Sequence, residues 1–369
     1  MVGYAMGSEL ERHSHIENIQ ILRGVAACMV LLYHATLNIG GKLFFDLLVI
    51  GNYAVDFFFV LSGFIICYVN FHHFGEKQRL SYYLSRRLIR IYPIHIIVVL
   101  LTLLVYWASR SAGLDLLVWL KRVDADLILR SVFLMPGRMP ELNPPAWTLS
   151  FELLFYLIFA LCFFVRKQVF AAIMGLWLLG ILFHKFFPFS KDIYLNFIFN
   201  GVNIQFFYGC AVAWVVRSGY LSNLDRSTAK KLAISGIVLL ICFSALRKLD
   251  PSATWRHLFI GCPISCILIG AIILDTRSNG RLRKFALLLG NASYSIYLVH
   301  SVIEVMLVSA LKMYVHKYIL FFVISSAAVS AGCLLYICIE RPFLNWAYAR
   351  SPWSRKPSGA MLSGELAVR

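Results

Sequence analysis

Charge is what this chain has least of. Only 14% of its 369 residues are Asp, Glu, Lys or Arg, against 60% hydrophobic and 15% aromatic, and the mean hydropathy is +0.74. A soluble domain carries roughly a quarter or more charged residues, so a water-soluble fold is excluded. Acidic residues are the scarcer sign, 18 against 35 Lys and Arg, for a formal net charge of +17. That excess does not point to nucleic acid. The basic residues cluster at the ends of apolar runs, as in Arg86, Arg87 and Arg90, Arg166 and Lys167, Lys230 and Lys231, and Arg281, Arg283 and Lys284. Membrane topology and anionic headgroups explain such a pattern. The nine cysteines, an odd number, fall almost entirely inside apolar runs, and no Cys/His spacing suits a metal. They read as small buried hydrophobes rather than a disulfide framework or metal site. The segment before the first run contains Glu9, Glu11 and Glu17 and lacks a basic region followed by a cleavage site, so no cleaved signal peptide is expected. Neither a low-complexity linker nor an internal repeat is visible.

What is present is a series of apolar stretches long enough to span hydrocarbon: approximately 19–37, 52–71, 88–107, 148–165, 168–187, 197–216, 231–246, 257–274, 286–311 and 317–339. The expected fold class is all-α, a polytopic membrane bundle of about ten helices. One membrane domain over 19–342 is flanked by an N-terminal segment, 1–18, and a C-terminal tail, 343–369. An even number of spans puts both termini on one side, and the segments on that side hold the larger share of Lys and Arg, which predicts cytoplasmic termini. A basic, tyrosine-containing inner loop runs up to Pro93. The outer segment from about Ala108 to Trp147 includes DLLVWLKRVDADLILRSVF, whose spacing predicts an interfacial or re-entrant helix, followed by the proline-rich PGRMPELNPPAW.

Polar residues inside hydrocarbon are costly, so each span that carries one is informative. Arg23 and His34 are eleven residues apart, almost three helical turns, so both leave one face of the first span roughly 16 Å apart. A cation at one mouth and a deeper imidazole suit an anionic substrate with its reactive end up the channel. Snorkelling for Arg23 and helix packing for His34 are the alternatives. Asp56 in the second span can pair with a cation or orient an imidazole, while Ser62 and Gly63 suit close helix approach. In the fourth span, Glu152 lies below Trp147, with Tyr156 a turn further on. A carboxylate there can hold His34 in one tautomer, whereas Trp147 equally suits a membrane-interface aromatic. Ser293, Tyr297, His300 and Glu304 form a single polar stripe on the ninth span. Arg87 and Arg90 suit phosphate oxygens, with the positive-inside bias as the competing explanation.

These segments together resemble the acyltransferase-3 family of integral membrane acyltransferases, especially bacterial exopolysaccharide and lipopolysaccharide O-acetyltransferases. The residues that carry the resemblance are Arg23 and His34, DFFFVLSGF at 56–64, RRLIRIYP at 86–93, WTLSFELLFY at 147–156, SYSIYLVH at 293–300, and Glu340, Arg341 and Pro342. The resemblance implies a bacterial inner-membrane enzyme that takes an acyl group, usually acetyl, from cytoplasmic acyl-CoA and transfers it to a sugar hydroxyl at the outer side, with no permanently bound cofactor. His34 is then the essential histidine, and Arg23, Arg87 and Arg90 serve the donor. The acceptor is a polysaccharide or its lipid-linked precursor. Some relatives carry an added esterase-like domain, and without one this chain is expected to present the acyl group directly. A transporter or flippase for an anionic sugar lipid is the competing function, and a non-catalytic subunit of a polysaccharide assembly complex is a third.

Overall fold

A computed structural model describes residues 17–40, 43–117, 119–137, 141–188, 192–221, 223–249, 256–274 and 280–350. The expectations for residues 1–16 and 351–369 lie outside them. Among the described residues there is no strand, and ten helical stretches are long and apolar enough to cross a membrane. Helix is what hydrocarbon demands, because every backbone N–H and C=O must be paired within its own segment. The protein is thus a multi-pass membrane bundle, and Leu100, Leu104, Leu176, Phe183 and Phe322 on its outward faces are exposed as lipid-facing residues should be.

The first five helices are α1 (Glu17–Ile39), α2 (Ala54–Val69), α3 (Leu80–Ser111), α4 (Ala125–Phe133, in the loop after α3) and α5 (Trp147–Phe159), and of these α1, α2, α3 and α5 line the polar interior. The peripheral set follows: α6 (Lys167–Phe186), α7 (Ile193–Ile198), α8 (Ile204–Arg217), α9 (Arg226–Leu249), α10 (Arg256–Phe259) and α11 (Gly261–Ile273). The chain then returns to the centre through α12 (Arg281–Asn291), α13 (Ser293–Leu311), α14 (Lys317–Leu335) and α15 (Arg341–Arg350).

The seam between α1 and the α12–α13 pair fixes the site. Glu17 pairs with Arg283 at 2.6 Å, Gly24 packs on Gly290, His34 meets His300, and Asn38 meets Glu304. Each pair is separated by 266 positions, so the two stretches run parallel and in register over about 30 Å. The register depends on glycine. A Cβ on Gly24 would strike the backbone at Leu289 and Gly290, and one on Gly290 would strike Gln20, the small-residue contact that lets membrane helices approach. Gly63 plays the same part between α2 and α8, where a Cβ would meet the Phe206 backbone.

Several sequence-based boundaries change. The third span is longer than expected, because the basic segment before Pro93 is helical and Pro93 lies inside α3. The ninth run is two helices that meet at Ala292. The tenth continues through a π-helical turn, Tyr336–Glu340, into α15. Between α3 and α5 the expected interfacial helix is only α4. Asp124 accepts from the Leu127 amide at 2.9 Å and starts it, and Leu134, left-handed at φ 53°, ends it, while the described apolar residues between Leu114 and Asp124 take no helix.

Candidate functional site

Two cavities in the bundle share part of their linings. The first, counted with the part open to solvent, spans about 840 Å³ and is lined by Arg23 of α1, Ser62 of α2, Arg87 and Arg90 of α3, Glu152 and Tyr156 of α5, and Ser293 and Tyr294 of α13. Arg87 and Arg90 are one turn apart on α3 and therefore share a face. Arg23, buried at 7% exposure, donates to Gln20 Oε1 at 2.9 Å. The Arg87 guanidinium lies 5.6 Å from the Tyr156 ring and 5.9 Å from the Tyr83 ring, and its Nε is buried without a partner. Glu152 Oε1 accepts from Ser62 Oγ at 2.8 Å and, in a short hydrogen bond, from the Tyr156 hydroxyl. The π-turn aims Glu340 inward, where it accepts from Ser295 Oγ at 2.5 Å and lies within electrostatic range of Arg23 and Arg90. Cations here outnumber what their two carboxylates neutralise, and planar guanidinium groups suit phosphate oxygens.

The second cavity, counted with the part open to solvent, spans about 1080 Å³, and its walls include Tyr33, His34 and Asn38 of α1 together with Trp119, Trp147 and Ser301. Behind His34 the hydrogen bonds dictate a tautomer. His300 Nδ1 lies 2.7 Å from the Tyr297 carbonyl oxygen, which can only accept, so that nitrogen carries the hydrogen. In the neutral ring, His300 Nε2 is then an acceptor. His34 Nδ1 lies 2.9 Å from it and must donate. Ser301 Oγ, 3.2 Å from the same acceptor, supports the assignment. His34 Nε2 is thereby left with a bare lone pair on a ring that lines the cavity, the state a general base requires. One turn along, Asn38 Nδ2 donates to Glu304 Oε2 at 3.0 Å.

The arginine cavity and the histidine cavity share two residues in their linings, Val55 and Tyr297. The Tyr297 hydroxyl lies 3.1 Å from Thr148 Oγ1, and Thr148 Oγ1 donates to the Pro145 carbonyl at 2.9 Å. These contacts tie α13 to the start of α5 at the junction.

The structure therefore sorts the residues singled out in the sequence. Arg23, Arg87, Arg90, Ser62, Glu152, Tyr156 and Ser293 line the arginine cavity, His34 and Trp147 the histidine cavity, and Tyr297 both. His300 is fully buried behind His34, and Asp56, also buried, lines neither cavity. One expected partnership is wrong. Glu152 bonds Ser62 and Tyr156, and His300 takes the place beside His34, because the face of α5 that carries Glu152 is turned toward the arginines. Ser62 is a hydrogen-bond donor to that carboxylate, and the close helix approach falls to its neighbour Gly63. Sequence reasoning missed Gln20, Asn38, Trp119 and Thr148. Gln20 and Asn38 had a usable signal, since they lie three and four residues from Arg23 and His34 on the same helical face.

Residues 16–338 match the family described as acyltransferase domain, of acyltransferase-3 type. The chain is 29% identical over 322 residues to the exopolysaccharide production protein ExoZ of Rhizobium meliloti (strain 1021), covering 82% of this chain and 92% of that protein. It is 32% identical over 120 residues to the acyltransferase MdmB of Streptomyces mycarofaciens, covering 32% of this chain and 30% of that protein. No solved structure matches.

Proposed function

The chain belongs to the acyltransferase-3 family, and from that premise we propose that this membrane acyltransferase moves an acetyl group from cytoplasmic acetyl-CoA to a hydroxyl of an exported polysaccharide or its lipid-linked precursor. The observation that carries this reading is the pair of cavities that meet at Tyr297, one basic and one holding a bare imidazole nitrogen. A donor with nucleotide phosphates finds counter-charge at Arg23, Arg87 and Arg90. Its pantetheine arm then runs toward the junction and delivers the thioester carbonyl there. The acceptor hydroxyl comes from the opposite side, where Trp119, Trp147 and Tyr33 offer the aromatic faces on which sugar rings stack. ExoZ, by its name a protein of exopolysaccharide production, supports a glycan acceptor.

On this reading His34 Nε2 removes the hydroxyl proton as the oxygen attacks the acyl carbon. The tetrahedral intermediate expels the CoA thiolate, the C–S bond breaks, and the proton gained by His34 is released to the thiolate or to water. His300 positions the base by holding its tautomer and accepting from Nδ1 throughout. Glu152 belongs to the donor side, where it holds Ser62 and Tyr156. The bias of Lys and Arg supports cytoplasmic termini, which puts the arginine cavity on the cytoplasmic side of an inner membrane. The test is a mass measurement of surface glycans from cells with and without the gene. Loss of an acetyl-sized increment from an otherwise intact polymer supports the reading, and loss of the whole polymer favours a transporter.

A further inference from the structure

We propose that Tyr297 is a catalytic residue whose hydroxyl donates a hydrogen bond to the thioester oxygen as that oxygen becomes an anion. The proposal rests on the acyl-transfer reading above and adds what that reading lacks, a group to take the negative charge of the tetrahedral intermediate. If the donor is anchored among the arginines and the base is on the other side, the acyl carbon must lie where the two cavities meet. Val55 and Tyr297 are the residues common to both linings. The Val55 side chain has no polar hydrogen, so among the described residues common to both linings Tyr297 supplies the side-chain donor.

The local hydrogen bonds leave that hydroxyl free to be redirected. The Tyr297 hydroxyl has two acceptors within reach, Thr148 Oγ1 at 3.1 Å and the Pro145 carbonyl at 3.4 Å, and Thr148 Oγ1 itself lies 2.9 Å from that carbonyl. When an oxyanion draws the Tyr297 hydrogen away, Thr148 keeps its own donor bond and no polar hydrogen is orphaned. The ring cannot wander. It packs 5.7 Å from the Phe58 ring and 5.9 Å from His300, and the residue is only 8% exposed. The backbone carbonyl of the same residue receives the His300 Nδ1 hydrogen. One residue thus sets the tautomer of the base pair through its main chain and presents a donor through its side chain, linking the proton acceptor to the oxyanion site without a mobile element. Such a donor is already in place before charge develops, the condition under which it contributes most.

The step adds no oxidant or cofactor. The acceptor oxygen bonds to the acyl carbon, the carbonyl π pair moves onto oxygen and is held by the Tyr297 O–H, and collapse returns that pair while the C–S bond breaks.

The experiment uses the full chain in membrane vesicles with acetyl-CoA as donor and a methyl pyranoside as probe acceptor, and reads CoA thiol release alongside acetyl-CoA affinity. Tyr297→Phe is expected to lower thiol release about 10²- to 10³-fold, the usual loss for one oxyanion donor, with acetyl-CoA affinity unchanged. Difluorotyrosine at position 297, a stronger hydrogen-bond donor of nearly the same size, is expected to retain the rate that Phe loses. A Tyr297→Phe enzyme that keeps its rate, or one whose acetyl-CoA affinity falls as much as its rate, makes Tyr297 a wall and overturns the assignment. A wild-type protein that binds no acetyl-CoA overturns the acyl-transfer reading itself, a result distinct from either.

Discussion

The arginine cavity is lined by three guanidinium groups and the Glu152 carboxylate, whereas the histidine cavity is lined by imidazole, amide and indole with no carboxylate among its described lining residues, and Glu304 is tied to Asn38. The same helices, α1 and α13, contribute to both. On the proposed reading the difference follows from what each end would receive, an anionic donor at one and a hydroxyl acceptor at the other. An anion leaving water needs fixed counter-charge, and that counter-charge is tolerable in hydrocarbon only if it is held by neighbours, as Arg23 is by Gln20 and Arg87 by two tyrosine rings. A neutral hydroxyl needs a neutral base, and a second imidazole orients such a base without placing a permanent charge beside it. Two chemically unlike rooms with one shared wall make binding and turnover separable by mutation.

The most severe test of that separation is His34→Ala. Turnover should fall by about 10² to 10⁴, the usual contribution of a general base, while acetyl-CoA affinity stays where it was, measured by binding to the purified protein. Equal losses in both would mean that the two cavities act as one. His300→Phe comes next. It preserves bulk but cannot accept from His34 Nδ1, so the ring loses its fixed tautomer, and turnover should fall roughly ten- to a hundred-fold with donor affinity intact. A fall in donor affinity instead would place His300 in helix packing alone. Arg23→Ala should do the reverse: loss of one charge-assisted contact, about 1.5–3 kcal/mol, weakens acetyl-CoA about ten- to a hundred-fold and leaves turnover at saturation nearly unchanged.

Glu152→Gln sharpens the comparison in a different way. Had this carboxylate been the partner of His34, the pH profile of turnover would move. Since it bonds Ser62 and Tyr156 on the donor side, the profile should stay put, and removal of a negative charge from an arginine-lined cavity should tighten acetyl-CoA by a few-fold. A shifted profile would restore the His34 partnership.

How much of this was legible beforehand depended on whether a residue announced itself in its own segment. Arg23, His34, Glu152 and His300 did, because an ionisable group in an apolar run has few explanations. The ten spans did for the same reason. Which of these groups meet did not, because the pairing is set by glycines far apart in sequence. The contact of Gly24 with Gly290 puts His34 opposite His300 and not Glu152. Nor could local pattern show the break at Ala292 or the π-turn before Arg341, since a one-residue change of phase leaves composition untouched. Thr148 was invisible too. Nothing about a threonine at a helix start marks it as the partner of a tyrosine on α13.

The smallest expected effect concerns the edge of the histidine cavity. Glu141 lies in the segment that leads from α4 to α5, next to Leu142, which is fully buried, and its carbonyl accepts from Trp119 Nε1 at 3.3 Å. Burial pushes its carboxyl from 4.5 up to about 7, with Arg130 pulling the other way. A raised carboxyl pKa means that the folded segment holds its proton more tightly than the unfolded chain does. The contribution to stability is therefore present in full below 4.5 and is lost as the pH rises through about 7. Arg130 limits the size of the effect, and the rest of the bundle does not depend on it. Between about pH 5 and 8 the segment should loosen, seen as faster amide exchange at residues 141–143 and a change in Trp119 emission, with acceptor use altered by no more than a few-fold. Glu141→Gln, which cannot ionise, should flatten both signals across that range while leaving acetyl-CoA affinity alone, because Glu141 is bonded to Trp119 of the histidine cavity and lines neither cavity itself. Loosening that persists unchanged in the Gln variant would assign the pH response to another group, and a change in donor affinity would show that the wall between the two cavities transmits what happens at its outer edge.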